Sequence, residues 1–339
     1  MPVGEVQSPH LEQDQYRRKY MKKSNKCMFS GMLVLLAVLA MAAPAAADPW
    51  IGGDKLVNAN GTSGNVSGGL WFDAYPGFDY AYSTPVTKNF SLPCTAGNVE
   101  WARLYVTTYI GSMTKNYPLN TTVEFDGGSG YGTLGSEIMN TTYTYPENSS
   151  ADGTVWINNH CNRVTSDCLM WYDVTNDITS SSVAARVHTA CPNGTQPYDG
   201  RVKMITLVVA YNDPSSGKEI SYWVNQGHDT DSKKADQNGC SYIGNTTFST
   251  VTSSVIDADL TAIYLASYNG NYTFNGNTLT WSNPCQGSYF GYQSWNVTNY
   301  ITSGDNFMTF DRNTTDPSLY GGYFKIPLAL LTVEEEQEV

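Results

Sequence analysis

An all-β protein, built as two tandem antiparallel β-sandwich (jelly-roll-like) domains, is what this 339-residue sequence predicts. Three observations lead there. Short runs rich in β-branched and aromatic residues recur between Gly, Asn and Asp turn signals. No stretch after residue 47 sustains a 3.6-residue apolar period over twelve residues. A nine-residue phrase occurs twice, as YDVTNDITS at Tyr172–Ser180 and as WNVTNYITS at Trp295–Ser303.

Residues 1–20 are polar. Lys22, Lys23 and Lys26 then precede an apolar run from Met28 to Ala43, with Ala45-Ala46-Ala47 behind it. This is the layout of a secretory signal, and the run is short for a membrane span. Residues 1–47 are therefore read as an upstream extension and signal peptide. Residues 48–215 are expected to form the first sandwich, with the Gly-, Asn- and aromatic-rich stretch up to Cys94 adding edge strands. Glu100–Gly111 alternates bulky apolar and other residues. Thr121–Gly128 ends on an Asp-Gly turn, and Arg201–Pro214 is a longer, more continuous apolar run, stopping at Asn-Asp-Pro, as expected of a strand buried on both faces. Residues 216–257 read as a connecting segment with one strand and a polar loop, and 258–339 as the second sandwich.

The halves echo each other in order. LYVTTYIG (Leu104–Gly111) parallels IYLASYNG (Ile263–Gly270), VEFDGG (Val123–Gly128) parallels YTFNGN (Tyr272–Asn277), and WINNHC (Trp156–Cys161) loosely parallels WSNPC (Trp281–Cys285). Within the repeated phrase, Val297 and Ile301 stand four apart, so one helical turn buries both. Asn296 or Thr298 can accept backbone N–H groups at the start of that turn. Tyr172, Val174 and Ile178 fill the matching roles in the first copy. The phrase is expected to be a structural corner, with Asp173 and Asn296 facing outward and sharing no chemistry.

Removing residues 1–47 takes away six of 19 Lys/Arg and three of 31 Asp/Glu, leaving 13 basic against 28 acidic residues. Such a chain repels phosphate backbones, which argues against nucleic acid as a partner. No membrane span is expected in the mature chain. Six cysteines follow the leader: Cys94, Cys161, Cys168, Cys191, Cys240 and Cys285. In an exported chain they are disulfide candidates. Fifteen pairings are open; a local Cys161–Cys168 loop with Cys94–Cys191 and Cys240–Cys285 is one of them. Lack of any Cys-x-x-Cys, with only His160, His188 and His228 remaining, argues against zinc. Eleven Asn-x-Ser/Thr sequons are glycosylation candidates: Asn60, Asn65, Asn89, Asn120, Asn140, Asn148, Asn193, Asn245, Asn271, Asn296 and Asn313.

No Gly-x-Ser-x-Gly elbow is present. Glu124, Asp126, Asp173 and Glu219 are the carboxylates a hydrolase would need, but strand and turn carboxylates are usually solvated or capping. No catalytic residue is assigned, and the chain is expected not to be an enzyme. No cofactor is expected, apart from calcium at Asp229, Asp231 and Asp236, whose spacing does not match an EF-hand loop. Trp50, Trp71 and Trp223 lie outside the repeated cores and are candidates for exposed stacking surfaces.

The corner around Ser294–Phe310 resembles that of galactose-binding-type jelly rolls, where it is structural. The ordered set VEWARLYVTTYIG, the element at Val123–Gly127, MWYDVTNDITS, the run from Gly200 to Asp229, and the closing LTAIYLASYNG through LALLTVEE resembles a family of secreted methanogen proteins defined only as a domain of unknown function. That resemblance covers about 48–335. It implies an archaeal, extracellular or cell-surface protein of β-domains and carries no catalytic residues. The expected function is a secreted, self-assembling structural component of the cell envelope, partnered by its own copies or by other surface proteins and glycans. The alternative is an adhesin or carbohydrate-binding module.

Overall fold

The computed structural model describes residues 52–75, 77–111, 118–139, 156–192, 199–232, 242–250, 254–266, 270–280, 285–286, 290–312 and 323–336. The segment read as a signal peptide (residues 1–47) and Trp50 therefore lie outside the described residues. Among these, no helix is long and apolar enough to cross a membrane. The chain is almost entirely strand. The elements are β1 (Gly52–Val66), β2 (Gly69–Tyr75), β3 (Asp79–Tyr80), β4 (Val86–Ser91), β5 (Val99–Tyr109), β6 (Leu119–Asp126), β7 (Tyr131–Met139), β8 (Trp156–Ile157), β9 (Cys161–Val164) and β10 (Asp167–Asp173). They continue as β11 (Ser182–Ala190), β12 (Arg201–Tyr211), β13 (Ile220–Ser232), β14 (Gly244–Thr250), β15 (Val255–Leu265), β16 (Gly270–Phe274), β17 (Asn277–Leu279), β18 (Cys285–Gln286), β19 (Phe290–Asn296), β20 (Gly304–Arg312) and β21 (Tyr323–Glu335).

Four antiparallel sheets stack in a row. An outer sheet, β4-β11-β6-β7, covers an inner sheet, β2-β12-β5-β10-β9-β8. Between them lies a core of Phe90, Leu104, Val106, Val123, Phe125, Met170 and Val187. A second inner sheet, β1-β13-β21-β15-β19-β18, is covered by a second outer sheet, β14-β20-β16-β17. Phe248, Leu260, Tyr264, Phe274, Met308 and Phe310 fill that core. The two inner sheets bury their other faces against each other through Tyr105, Leu169, Val208, Val224, Ile263, Leu328 and Leu330. Both inner sheets are thus sealed on both faces, which explains the unbroken apolar runs of β12 and β21.

The strand order repeats: β12-β5-β10-β9 corresponds to β21-β15-β19-β18, and β4-β11-β6-β7 to β14-β20-β16-β17. Residues 216–257 contribute strands to both sheets of the second sandwich. β13 is an interior strand held between β1 and β21, and β14 is an edge of the second outer sheet. The N-terminal β1 crosses over to pair with β13, whereas β2 and β4 join the first sandwich. Residues 47–339 form one compact unit.

The repeated phrase makes the same corner twice. The N–H of Val174 donates to Ala102 O at 3.0 Å, and that of Val297 donates to Ala258 O at 2.7 Å. Thr175 Oγ1 accepts the Ala102 N–H, and Thr298 Oγ1 the Ala258 N–H, both at 2.8 Å. One 3-10 turn follows in each copy, Thr175–Asp177 and Thr298–Tyr300. Asp173 and Asn296 are not free of shared chemistry: each accepts the N–H of the threonine two residues on, at 3.0 and 3.3 Å. Thr298→Val removes the acceptor for the Ala258 amide and is expected to lower unfolding free energy by about 1–3 kcal/mol in a urea titration, with Thr298→Ser retaining it.

The corner also fixes the true repeat register. Tyr172 pairs with Leu104, and Trp295 with Leu260. Leu104 therefore matches Leu260 and not Ile263, three residues further on. Leu104 and Leu260 each face their own sandwich core, while Ile263 faces the seam between the inner sheets.

Candidate functional site

Two features occupy the seam between the inner sheets: a buried charged cluster and an open pocket. The cluster gathers around Asp167, the first residue of β10. Its Oδ1 lies 2.7 Å from Lys203 Nζ on β12, and its Oδ2 2.5 Å from Lys325 Nζ on β21. His228 Nε2 of β13 stands 3.6 Å from Oδ2. Lys325 also donates to Thr165 Oγ1 at 2.6 Å. All of these side chains are buried. Thr165 holds φ at 54° in the tight β9–β10 turn, an uncommon conformation for a β-branched residue. One carboxylate thus ties strands of both sheets. Nearby, Arg103 Nη1 and Tyr105 OH both donate to Gln226 Oε1 across the same seam, at 2.7 and 3.0 Å.

Burial alone would raise the pKa of Asp167, but the two ammonium groups more than reverse it and hold the carboxyl well below its usual range. Burial, then the charge of Lys325, pushes His228 down to about 3. Burial also brings Lys325 down to about 8 against the pull of Asp167. At neutral pH the cluster holds two cations, one anion and a neutral imidazole. The surplus positive charge rests against aromatic faces: Lys203 Nζ is 4.7 Å from the Tyr109 ring centroid and Lys325 Nζ 5.4 Å from that of Tyr323.

A pH signature follows. The unfolded chain protonates His228 near pH 6.5, whereas the folded chain resists until about pH 3. The unfolded state then binds more protons in that window, so the stability His228 contributes is complete above pH 6.5 and is lost as pH falls. Asp229 acts oppositely: burial raises it from 3.8 to about 6, so its contribution is present below 3.8 and lost as pH rises through 6. Replacing His228 with glutamine removes only the first effect. Urea midpoints at pH 7 and pH 5 should show the variant gaining on the wild type by up to about 1.4 kcal/mol per pH unit below 6.5.

The pocket, a cavity of about 250 Å³, opens where β2 meets the second inner sheet. Leu70 and Phe72 of β2 form an apolar wall, and Asp259, Thr261, Ser294, Asn296 and Thr332, with Leu330 among them, line the facing sheet; Trp295 also borders the pocket. Thr261 Oγ1 and Ser294 Oγ share a hydrogen bond of 2.7 Å. Phe72 is held edge-on against Tyr292, centroids 5.0 Å apart.

Residues singled out from sequence are mostly dispersed. Glu124 pairs with Arg186 at 2.5 Å, Asp126 accepts the Gly128 and Gly130 N–H groups at 2.8 Å, and Asp173 caps the corner. Asp229 accepts Tyr242 OH at 2.6 Å, and Asp231 takes the Ser232 and Arg312 amides at 2.6 and 3.0 Å; Asp236 lies outside the described residues. Among the described residues no group of three or more His, Cys, Asp or Glu gathers to hold a metal. Trp71 and Trp223 are half-buried against the sandwich cores and offer no exposed platform.

Cys94, Cys161 and Cys168 are present as thiols. Cys94 follows β4 at the Ser182 end of β11, and Cys191 follows the far end of β11, so roughly 30 Å of strand separates them and excludes their pairing. Cys161 and Cys168 do meet, thiol to thiol, on neighbouring strands; that contact, then burial, holds the Cys161 pKa far above its ordinary value. Cys240 and the side chain of Cys285 lie outside the described residues. Of the sequons, Asn65, Asn89, Asn245, Asn271 and Asn296 are exposed and Asn120 is half-buried. Asn140, Asn148, Asn193, Asn313 and the side chain of Asn60 lie outside the described residues.

Sequence reasoning missed Asp167, Lys203 and Lys325, which span 158 positions without a motif, and found no context for His228. The available signal was a lysine set inside each of two continuous apolar runs, RVKMITLVV and YFKIPLALL.

Among curated proteins, none matches the chain. Solved structures do. The glycosylasparaginase PNGase F from Flavobacterium meningosepticum is 10% identical, with 79% of this chain and 97% of that one covered at a TM-score of 0.28. An α-L-rhamnosidase from Streptomyces avermitilis is 14% identical over 86% of this chain and 29% of its own, at 0.22. The extracellular domain of ANXUR2 from Arabidopsis thaliana is 8% identical over 84% and 97%, at 0.26. With an amidase and a glycosidase among the similar structures, the expectation that the chain is not an enzyme is overturned. At such TM-scores neither their activities nor their residues carry over. A model of a family described as a protein of unknown function, DUF3344, matches residues 49–334, and the chain belongs to that family.

Proposed function

We propose that the protein is an exported, self-assembling component of an archaeal cell envelope, of the sheath or surface-layer kind. The observation that carries this is the build of the block. Four sheets are stacked into one compact unit, and among the described residues each outer sheet ends on an edge strand at either side, β4 and β7 in one and β14 and β17 in the other. Free strand edges present unpaired backbone groups that a neighbouring subunit can extend. On the outward faces of the same sheets stand the sequon residues Asn89 and Asn120 and, opposite, Asn245 and Asn271. The signal layout and the resemblance to secreted methanogen proteins supply the location. Electron microscopy and sedimentation of the purified protein test it. Filaments, sheets or a sedimentation coefficient rising with concentration are expected; a monomer at every concentration, with and without calcium, removes it.

A further inference from the structure

The seam pocket offers a mixed lining. Its charged member is a carboxylate, Asp259, which accepts no side-chain hydrogen bond among the described residues. Around it stand the hydroxyls of Thr261, Ser294 and Thr332, with Leu330 beside Thr261 on the same sheet, and the opposite wall is Leu70 and Phe72 of β2. A phosphate or carboxylate ligand would meet Asp259 and an acidic chain, and is disfavoured. A purely apolar ligand would bury the Asp259 carboxylate without giving it a partner. The chemistry that satisfies both walls is a neutral ring with hydroxyls on its edge and an apolar face of C–H groups.

A second observation concerns Asn296. It borders the same pocket, and with Val297 and Thr298 it forms an exposed sequon. Its Nδ2 donates to Asp257 Oδ1 at 2.5 Å and its Oδ1 accepts the Thr298 amide, so the side chain is held at the rim. Replacing one amide hydrogen by a sugar leaves the other for Asp257, and the attached ring begins at the mouth of the cavity.

We propose that this pocket is a saccharide subsite holding one sugar ring, supplied either by a glycan on Asn296 of the same chain or by an external glycan. The site is independent of assembly, so its failure leaves the envelope proposal standing.

The test uses the full chain made in a host that does not glycosylate, probed with a panel of methyl glycosides and N-acetylglucosamine by saturation-transfer NMR and calorimetry. At least one probe should bind, and Asp259→Ala and Ser294→Ala should each weaken it about tenfold, the loss of one hydrogen bond, with the melting curve unchanged. Protein from the native host identifies the source. If a glycan sits on Asn296, the same probe should fail to bind until Asn296→Gln removes it; if Asn296 is bare, the probe should bind as before. Absence of binding by every probe at millimolar concentration, or equal binding by both alanine variants and the wild type, overturns the proposal.

Discussion

Asp167→Asn is expected to cost about 3–5 kcal/mol of stability, because it removes the one anion between two buried ammonium groups. Lys203 and Lys325 are 2.7 and 2.5 Å from its carboxylate, and neither can reach solvent. A drop in melting temperature on the order of 10 °C should be seen by calorimetry. The cluster links β10 and β12 of one inner sheet to β13 and β21 of the other, so the loss is felt at the seam rather than in either sandwich core. The matched experiment replaces the three charges together with apolar residues, as Asp167→Leu, Lys203→Met and Lys325→Met. Since desolvating ions cancels much of their attraction, this triple variant should stay within about 2 kcal/mol of the wild type. A single variant as stable as the wild type would show that the cluster is hydrated and not a closed network.

Gly127→Ala is the second large effect. A Cβ built on Gly127 would stand 1.8 Å from the backbone oxygen of Asp177 and 2.6 Å from its carbonyl carbon. Backbone cannot move aside as a side-chain tip can. The β6–β7 turn and the repeated corner would have to separate, breaking the bond from the Thr179 N–H to Gly127 O. A loss of about 3 kcal/mol is expected, at the upper end for overpacking. Gly97→Ala, where nothing lies within 4 Å, should change stability by less than about 0.5 kcal/mol. The matching residue of the second half, Gly276, is retained for a different reason: its surroundings are open, but its φ is +77°.

Local pattern was enough to establish the all-β class, the doubling and the structural nature of the repeated phrase. Val174, Ile178 and Val297 are buried as their spacing implies, whereas Thr298 accepts the Ala258 amide of the adjacent strand and does not cap its own turn; a corner is made by contacts between residues close in sequence and one adjacent strand. Register was harder. The runs at Leu104 and Ile263 share letters, yet the strands align three residues away. Inner strands are apolar on both faces, so they lack the alternation that marks which side of a strand faces its own core.

What the amino-acid order determined by itself was therefore the strands, the turns and the twofold repetition, all of which follow from local conformational preference and side-chain period. Tertiary structure alone decided the rest. It sends β1 across to the second sandwich, makes β13 an interior strand, separates Cys94 from Cys191, and brings Asp167, Lys203, His228 and Lys325 into one buried group. It also sets Asn296 beside Phe72 and Asp259. These depend on which sheet faces close on each other, and that choice rests on the summed burial of distant surfaces, which no short stretch of sequence contains.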